Sequence, residues 1–335
     1  MAEIVVDDRL SEWAELEDGN WKSLLLGNGF SINIWNRFGY NSLYEVAQEP
    51  LVDTNLTEQS RALFERINTT NFEDILRILY HAKLVDEQLQ GLQADRIDAL
   101  YTNVKNSLAA AVHYSHVVEG FHSLRQINDA LQSFRNIFST NYDLVPYWAI
   151  MNKETGRFRD LFWSADGLFD LNNTSVFGKA TVIHYLHGAL HLVEDSKGKT
   201  MKLAAREGER LSSLFDLDHP ELFPLFIAEG SSETKLGRIR KNDYLRFCYQ
   251  KLECNKDGLV VLGHSLHKDY DQHIIDAINE SPCEKISVSV WPHQDRESII
   301  ALKSRLHQEL KGKNLSFFNS ETHPLGLPDL RVQEE

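Results

Sequence analysis

The sequence holds few of the residues that build stapled or metal-clamped folds. Three cysteines occur in 335 residues, Cys248, Cys254 and Cys283, and no two have CxxC spacing. They form no paired framework, so neither disulfides nor a zinc site is expected, and no metal is assigned. Basic charge is also short, with 35 Lys and Arg against 49 Asp and Glu and a formal net charge of -14. That balance disfavours a sequence-independent grip on nucleic-acid phosphates. No apolar run reaches the roughly 18–20 residues that span a bilayer. Residues 1–10 carry Glu3, Asp7 and Asp8 where a secretory leader would be basic and then apolar. Without a leader, the triplets Asn55-Leu56-Thr57 and Asn173-Thr174-Ser175 read as chance matches to a glycosylation acceptor, and a cytoplasmic location is expected. No internal repeat or low-complexity tract interrupts the chain. Its 42% hydrophobic content suffices for a large core.

What is present is an alternation of short apolar runs with helical patterns. Ser23-Leu24-Leu25-Leu26 runs into Gly27-Asn28-Gly29-Phe30-Ser31, a buried strand followed by a tight turn. Residues 52–134 then show apolar spacing of three and four, as in Phe72, Ile75, Leu76 and Leu79. This predicts several helices inserted after the first strand. Strands are expected at 135–140, 181–186 and 224–228, with a β-hairpin over 191–206 turning at Lys197-Gly198-Lys199. A helix is expected over 142–151 and another over 242–252. The last third alternates clearly, with strands at 259–262, 286–291 and 315–318 and helices at 271–279 and 296–310. Strands alternating with helices imply a mainly parallel sheet covered on both faces. Residues 322–335 read as a polar tail.

Four small polar motifs each follow an apolar strand. They are Gly27-Asn28-Gly29-Phe30-Ser31, Thr140-Asn141-Tyr142-Asp143, His187-Gly188 and Gly263-His264-Ser265. Ligands of open α/β sheets bind outside the carboxyl ends of the strands, so motifs far apart in sequence can share one crevice. Alone, the glycine turn is weak evidence, since it also serves as a tight turn without a ligand. The dehydrogenase fingerprint fits poorly. Ile32 stands at its third small position, and no strand end about 20 residues on offers a ribose-binding acid. Asn141 and Asp143 also suit a helix cap. Asp269, Asp271 and His273 hint at a metal, but Asp271 reads more simply as a cap. His184 and His191 read as core histidines, and the basic run from Lys235 to Lys241 as a solvated helix face.

In this order, the four motifs resemble those of sirtuins, and most of all those of bacterial sirtuin-like NAD hydrolases of anti-phage defence. The resemblance covers residues 21–50 and 135–320. It implies a Rossmann-like domain that takes NAD as substrate. Gly27, Asn28, Gly29 and Ser31 would hold the pyrophosphate. Thr140 opens the segment in which Asn141 would orient the nicotinamide ribose and the attacking water. Asp143 would hold the nicotinamide amide or order its loop, and His187 would act as general base. Gly263 and Ser265 would line the adenosine side. Sirtuin deacetylases carry four zinc-binding cysteines after the His-Gly and a Gln before the motif Asn. Here three cysteines follow, and Thr140 holds the Gln position. Water is therefore the expected acceptor. Resemblance to the sirtuin-like subunit of Kongming-type systems implies a homo-oligomer or a hetero-complex with a sensor subunit of nucleotide-pyrophosphatase type. A module that senses NAD or ADP-ribose without chemistry and a transferase are the competing expectations.

Overall fold

Leu24, Leu25 and Leu26 are apolar at consecutive positions, so their strand must be covered on both faces. In the computed structural model all three are fully buried. The structure describes residues 6–35, 43–49, 55–115, 122–151, 157–164, 166–203, 222–227 and 231–332. Its strands are β1 (Trp21–Leu26), β2 (Asn136–Ser139), β3 (Phe158–Arg159), β4 (Thr181–Tyr185), β5 (Gly188–Glu194), β6 (Thr200–Lys202), β7 (Phe223–Phe226), β8 (Gly258–Leu262), β9 (Lys285–Val290) and β10 (Asn314–Asn319). The helices are α1 (Asn28–Ile34), α2 (Leu43–Val46), α3 (Glu58–Ile67), α4 (Phe72–Gln88), α5 (Ala94–Ser115), α6 (Leu124–Leu131), α7 (Val145–Met151), α8 (Ser232–Lys241), α9 (Asp243–Glu253), α10 (Lys268–Glu280) and α11 (Arg296–Glu309).

Seven strands form one sheet in the order β10-β9-β8-β1-β2-β4-β3. Every pairing in it is parallel, with helices between the strands, as the alternating pattern predicts. The chain builds outward from β1 through β2 and β4, then crosses to β8 and builds outward through β9 and β10. The strand order therefore reverses between β1 and β8, which opens a crevice at their carboxyl ends. A second, antiparallel sheet has the order β6-β5-β7. It contains the expected hairpin, with Lys199 donating its backbone N–H to the Asp195 carboxylate at 2.8 Å in the turn. Residues 204–206 of that expectation, and the end of the strand expected at 224–228, lie outside the described residues.

Helices α3 to α6 lie within residues 52–134, where the sequence predicts a helical insertion after the first strand. Residues 52–54 and 116–121 of that interval lie outside the described residues. The insertion is fastened to the small sheet. Arg77 of α4 pairs with Glu194 of β5 at 2.5 Å and lies over the Phe223 ring of β7, 4.7 Å from its centroid. Asn242 completes the tie, because its amide donates to Glu194 while its Oδ1 caps α9 at Leu245. No described helix is long and apolar enough to cross a membrane.

The expected polar tail is packed instead, over its described part. Leu325 and Leu330 are fully buried, and the Val332 N–H donates to the Ile34 carbonyl at 2.8 Å. Prolines, a glycine and charged residues interspersed among three leucines made this stretch look solvated, although the turn ending at Leu330 packs on α1. Leu330→Ala should therefore cost about 2–5 kcal/mol, the range of buried Leu truncations. Chemical denaturation checks it, since a solvated tail predicts an unchanged midpoint.

Candidate functional site at the carboxyl ends of the strands

The register of the sheet decides which residues meet. Leu26 pairs with Ser139 on one side and Leu262 on the other, and Ser139 pairs with Tyr185. The ladders run one residue further. Gly27 donates to the Leu262 carbonyl, Thr140 to that of Leu26 and Leu186 to that of Ser139, at 2.8–3.0 Å. The loops after β1, β2, β4 and β8 therefore leave the sheet at one level. A cleft of about 1320 Å³ opens there, lined by Asn28, Gly29, Thr140, Asn141, His187, Gly263 and Ser265 among others. Of the residues expected in the site, Gly27, Ser31 and Asp143 are not among those lining the cleft.

The glycines have a reason within the protein. A Cβ on Gly27 would stand 2.5 Å from the His264 Cα, and one on Gly29 would stand 2.8 Å from the Gly263 carbonyl oxygen. Gly263 has a left-handed φ of 65°, and a Cβ there would strike the backbone N of Phe30. The β1–α1 turn and the end of β8 thus interlock through backbone alone. A side chain at Gly29 would press on Gly263, so the Gly-x-Gly spacing is fixed by strand-end packing before any ligand is considered.

Behind the cleft wall lies a buried polar chain. Ser31 donates its hydroxyl to Asp143 Oδ2 at 2.5 Å, and the Val145 N–H donates to Asp143 Oδ1 at 2.9 Å. With its one proton committed to Asp143, the Ser31 oxygen can only accept, so the group it accepts from must be the Asn141 amide NH2, at 2.8 Å. That fixes the amide orientation and leaves Asn141 Oδ1 buried with no partner among the described residues. Ser31, expected on a pyrophosphate, instead sits fully buried and holds Asn141. Asp143 orders this loop, and burial pushes its carboxyl up to about 6. Thr140 donates its hydroxyl to the Leu26 carbonyl at 3.0 Å, which pins the start of the segment.

His187 stands at the corner where the chain leaves β4 for β5. Gly188 makes that corner with a φ of 73°, and a Cβ there would strike the Leu225 carbonyl oxygen. His187 Nε2 lies 2.8 Å from His273 Nε2, and His273 Nδ1 lies 2.8 Å from Ser232 Oγ. Burial, then the positive charge that His273 and Lys235 bring near, holds His187 well below the ordinary imidazole range. Lys235 pairs with Asp271 at 3.4 Å, and both line the cleft. His187, Asp271 and His273 are the described residues that could together hold a metal ion, their ligand atoms all lying within 4.8 Å of one another. No cysteine belongs to this group, so the scarcity of cysteine does not exclude a metal here.

Two readings from sequence need correction here. Lys235 is buried in the cleft wall and does not belong to a solvated face. Ser232, Lys235 and Ile239 are the buried side of α8 at helical spacing, a signal the dense positive charge obscured. Asp271 does not cap the start of α10, since His267 holds that position; it lies at a kink with φ -133° and ψ 21°. His184 and His191 are core residues as read. Burial holds both down to about 3, and His184 stacks on Phe138 at 5.2 Å.

The fold and the position of the cleft define a Rossmann-like parallel α/β protein. The chain belongs to the family described as a domain of unknown function, DUF4917, whose model matches residues 24–325. The match runs from within β1 to buried Leu325 and takes in the helices between β1 and β2. A comparison with curated proteins finds no match.

The raised pKa of Asp143 has a stability consequence with a definite sign. The folded chain keeps this proton up to about pH 6, whereas the unfolded chain releases it near the ordinary aspartate value of 3.8. Stability from this group is thus complete below about pH 4 and is lost as pH rises through 6, by roughly 3 kcal/mol for two units. Asp143→Asn should flatten that fall. Denaturant midpoints of both proteins between pH 4 and pH 7 check it, and parallel curves would contradict it.

Proposed function

We propose that the cleft binds NAD and that the protein cleaves the bond between nicotinamide and ribose, with water as acceptor. Asn141 carries this reading. Its Oδ1 is buried at the cleft without a partner among the described residues, and a buried acceptor of this kind is costly unless a ligand or water supplies a donor. A ribose hydroxyl or a nucleophilic water is such a donor. The cleft volume exceeds the about 300–1,000 Å³ of common small-molecule sites and leaves room for an extended dinucleotide. Trp291 lies on its lining half-exposed and offers a flat face for a base.

The chemistry asks little of the protein beyond placement. Nicotinamide in NAD is already cationic, so it departs with the bonding pair and needs no acid. As the C–N bond breaks, oxocarbenium character builds on the ribose and water adds to the same carbon. The water proton passes to His187, which burial keeps neutral and able to accept. Asn141 orients the ribose and the water, and Asp143 and Ser31 hold Asn141 in position. Unrestrained turnover would deplete NAD, so this reading includes a partner subunit or assembly that restrains it, as in an effector of anti-phage defence.

One observation favours a second reading. The depressed basicity of His187 and its contact with His273 suit a module that binds NAD or ADP-ribose without turnover. Nicotinamide release separates the two. The purified protein, with and without candidate partners, should release nicotinamide from NAD. His187→Ala should lose roughly 10²–10⁴ in rate with affinity held within several-fold. Asn141→Ala should be severely impaired in rate more than in binding. Wild-type binding without turnover under every activating condition would select the sensor, and full turnover by both variants would reject this site.

A further inference from the structure

The contact between His187 and His273 has no role in the chemistry above. It joins two buried imidazoles through their Nε2 atoms at 2.8 Å, with the Asp271 carboxylate within 4.8 Å of both. The geometry points to a divalent transition-metal site formed by His187, His273 and Asp271, open to the cleft on one side. Two imidazole nitrogens and a carboxylate with a free position are a common donor set for zinc and its first-row neighbours. At metal–nitrogen distances of about 2.0–2.1 Å, two tetrahedral imidazole nitrogens stand about 3.3 Å apart. The pair therefore needs to open by only about half an ångström.

Three features support the assignment. Ser232 Oγ lies 2.8 Å from His273 Nδ1 and accepts the His273 backbone N–H, also at 2.8 Å. It thus fixes the ring and leaves Nε2 as the ligand atom, the usual work of an outer-shell partner. Burial holds both imidazoles in the neutral form that a metal requires. The kink at Asp271 interrupts α10 two residues before His273, so carboxylate and ring turn toward the same point. Without an ion, a shared proton satisfies the two rings. With one, that proton moves to the far nitrogen of His187, a tautomer change with no net charge. Lys235 opposes the ion, because its ammonium lies 3.4 Å from Asp271 Oδ1. An ion takes the other carboxylate oxygen and binds against that repulsion. Its seat is the face where His187 acts on NAD, so occupancy and turnover exclude each other. This last clause rests on the hydrolase reading; the binding itself does not.

Full-length protein stripped with a chelator should bind one Zn²⁺ per chain by titration calorimetry, and Co²⁺ should give visible d–d absorption. Ser232→Ala should weaken Zn²⁺ roughly 10- to 100-fold. His273→Ala should abolish binding, and Lys235→Met should tighten it several-fold. His273→Gln, with circular dichroism confirming the fold, replaces His273→Ala if that chain does not fold. Cys254→Ser controls for the exposed thiol and should bind as wild type does. No saturable binding, or equal binding by wild type and the folded His273 variant, overturns the site. Zn²⁺ should also suppress nicotinamide release. Stoichiometric Zn²⁺ in a protein that never hydrolyses NAD upholds the metal site and rejects the hydrolase.

Discussion

β1 takes its backbone hydrogen bonds from β2 on one side and β8 on the other, parallel to both and with its last residue level with theirs. Most other features depend on this placement. A fully apolar strand at the centre of a parallel sheet must be covered on both faces, which the surrounding helices do. Because β8 returns to the opposite edge of β1 from β2, the loops after these strands diverge above the sheet and leave a crevice. Had β8 added beyond β4 instead, Gly263 could not have met Gly27 and Gly29, and the cleft would lack that wall.

The space between the strand ends is filled in two ways. On the β8 side, backbone fills it, and three glycines allow the approach. On the β2 side, a buried carboxylate, hydroxyl and amide fill it in sequence. Burying Asp143 is costly, and the cost is visible in its raised pKa. In return, Asn141 is held by the Ser31 hydroxyl, which is itself fixed on Asp143. A glycine motif and a polar motif that look like ligand contacts in sequence thus also do internal structural work. The two uses are compatible, because the backbone that packs one face presents its other face to the cleft.

The far wall is built from the second half of the chain. α8 and α10 pack on each other and bring Lys235, Asp271 and His273 to His187. The small antiparallel sheet begins at Gly188, directly after His187, so the turn that starts it also sets the direction of that histidine. Arg77 and Asn242 then anchor the helical insertion and α9 to the same sheet through Glu194.

Local pattern alone determined the strands other than the two-residue edge strand β3, the main helices and the parallel α/β class, because burial on both faces demands apolar runs and helix packing demands spacing of three and four. It also placed Asn141, His187 and Gly263 at strand ends, since each follows an apolar run directly. Tertiary structure decided what those residues touch. Ser31 and Asp143 are 112 positions apart, and His187 and His273 are 86 apart. No periodicity links such pairs; only the order of strands in the sheet does. Lys235 looked solvated because it opens a basic run, and residues 322–332 looked free because prolines, a glycine and charged residues are interspersed among their three leucines. Side-chain charge is a local property, but burial depends on what the rest of the chain lays over it.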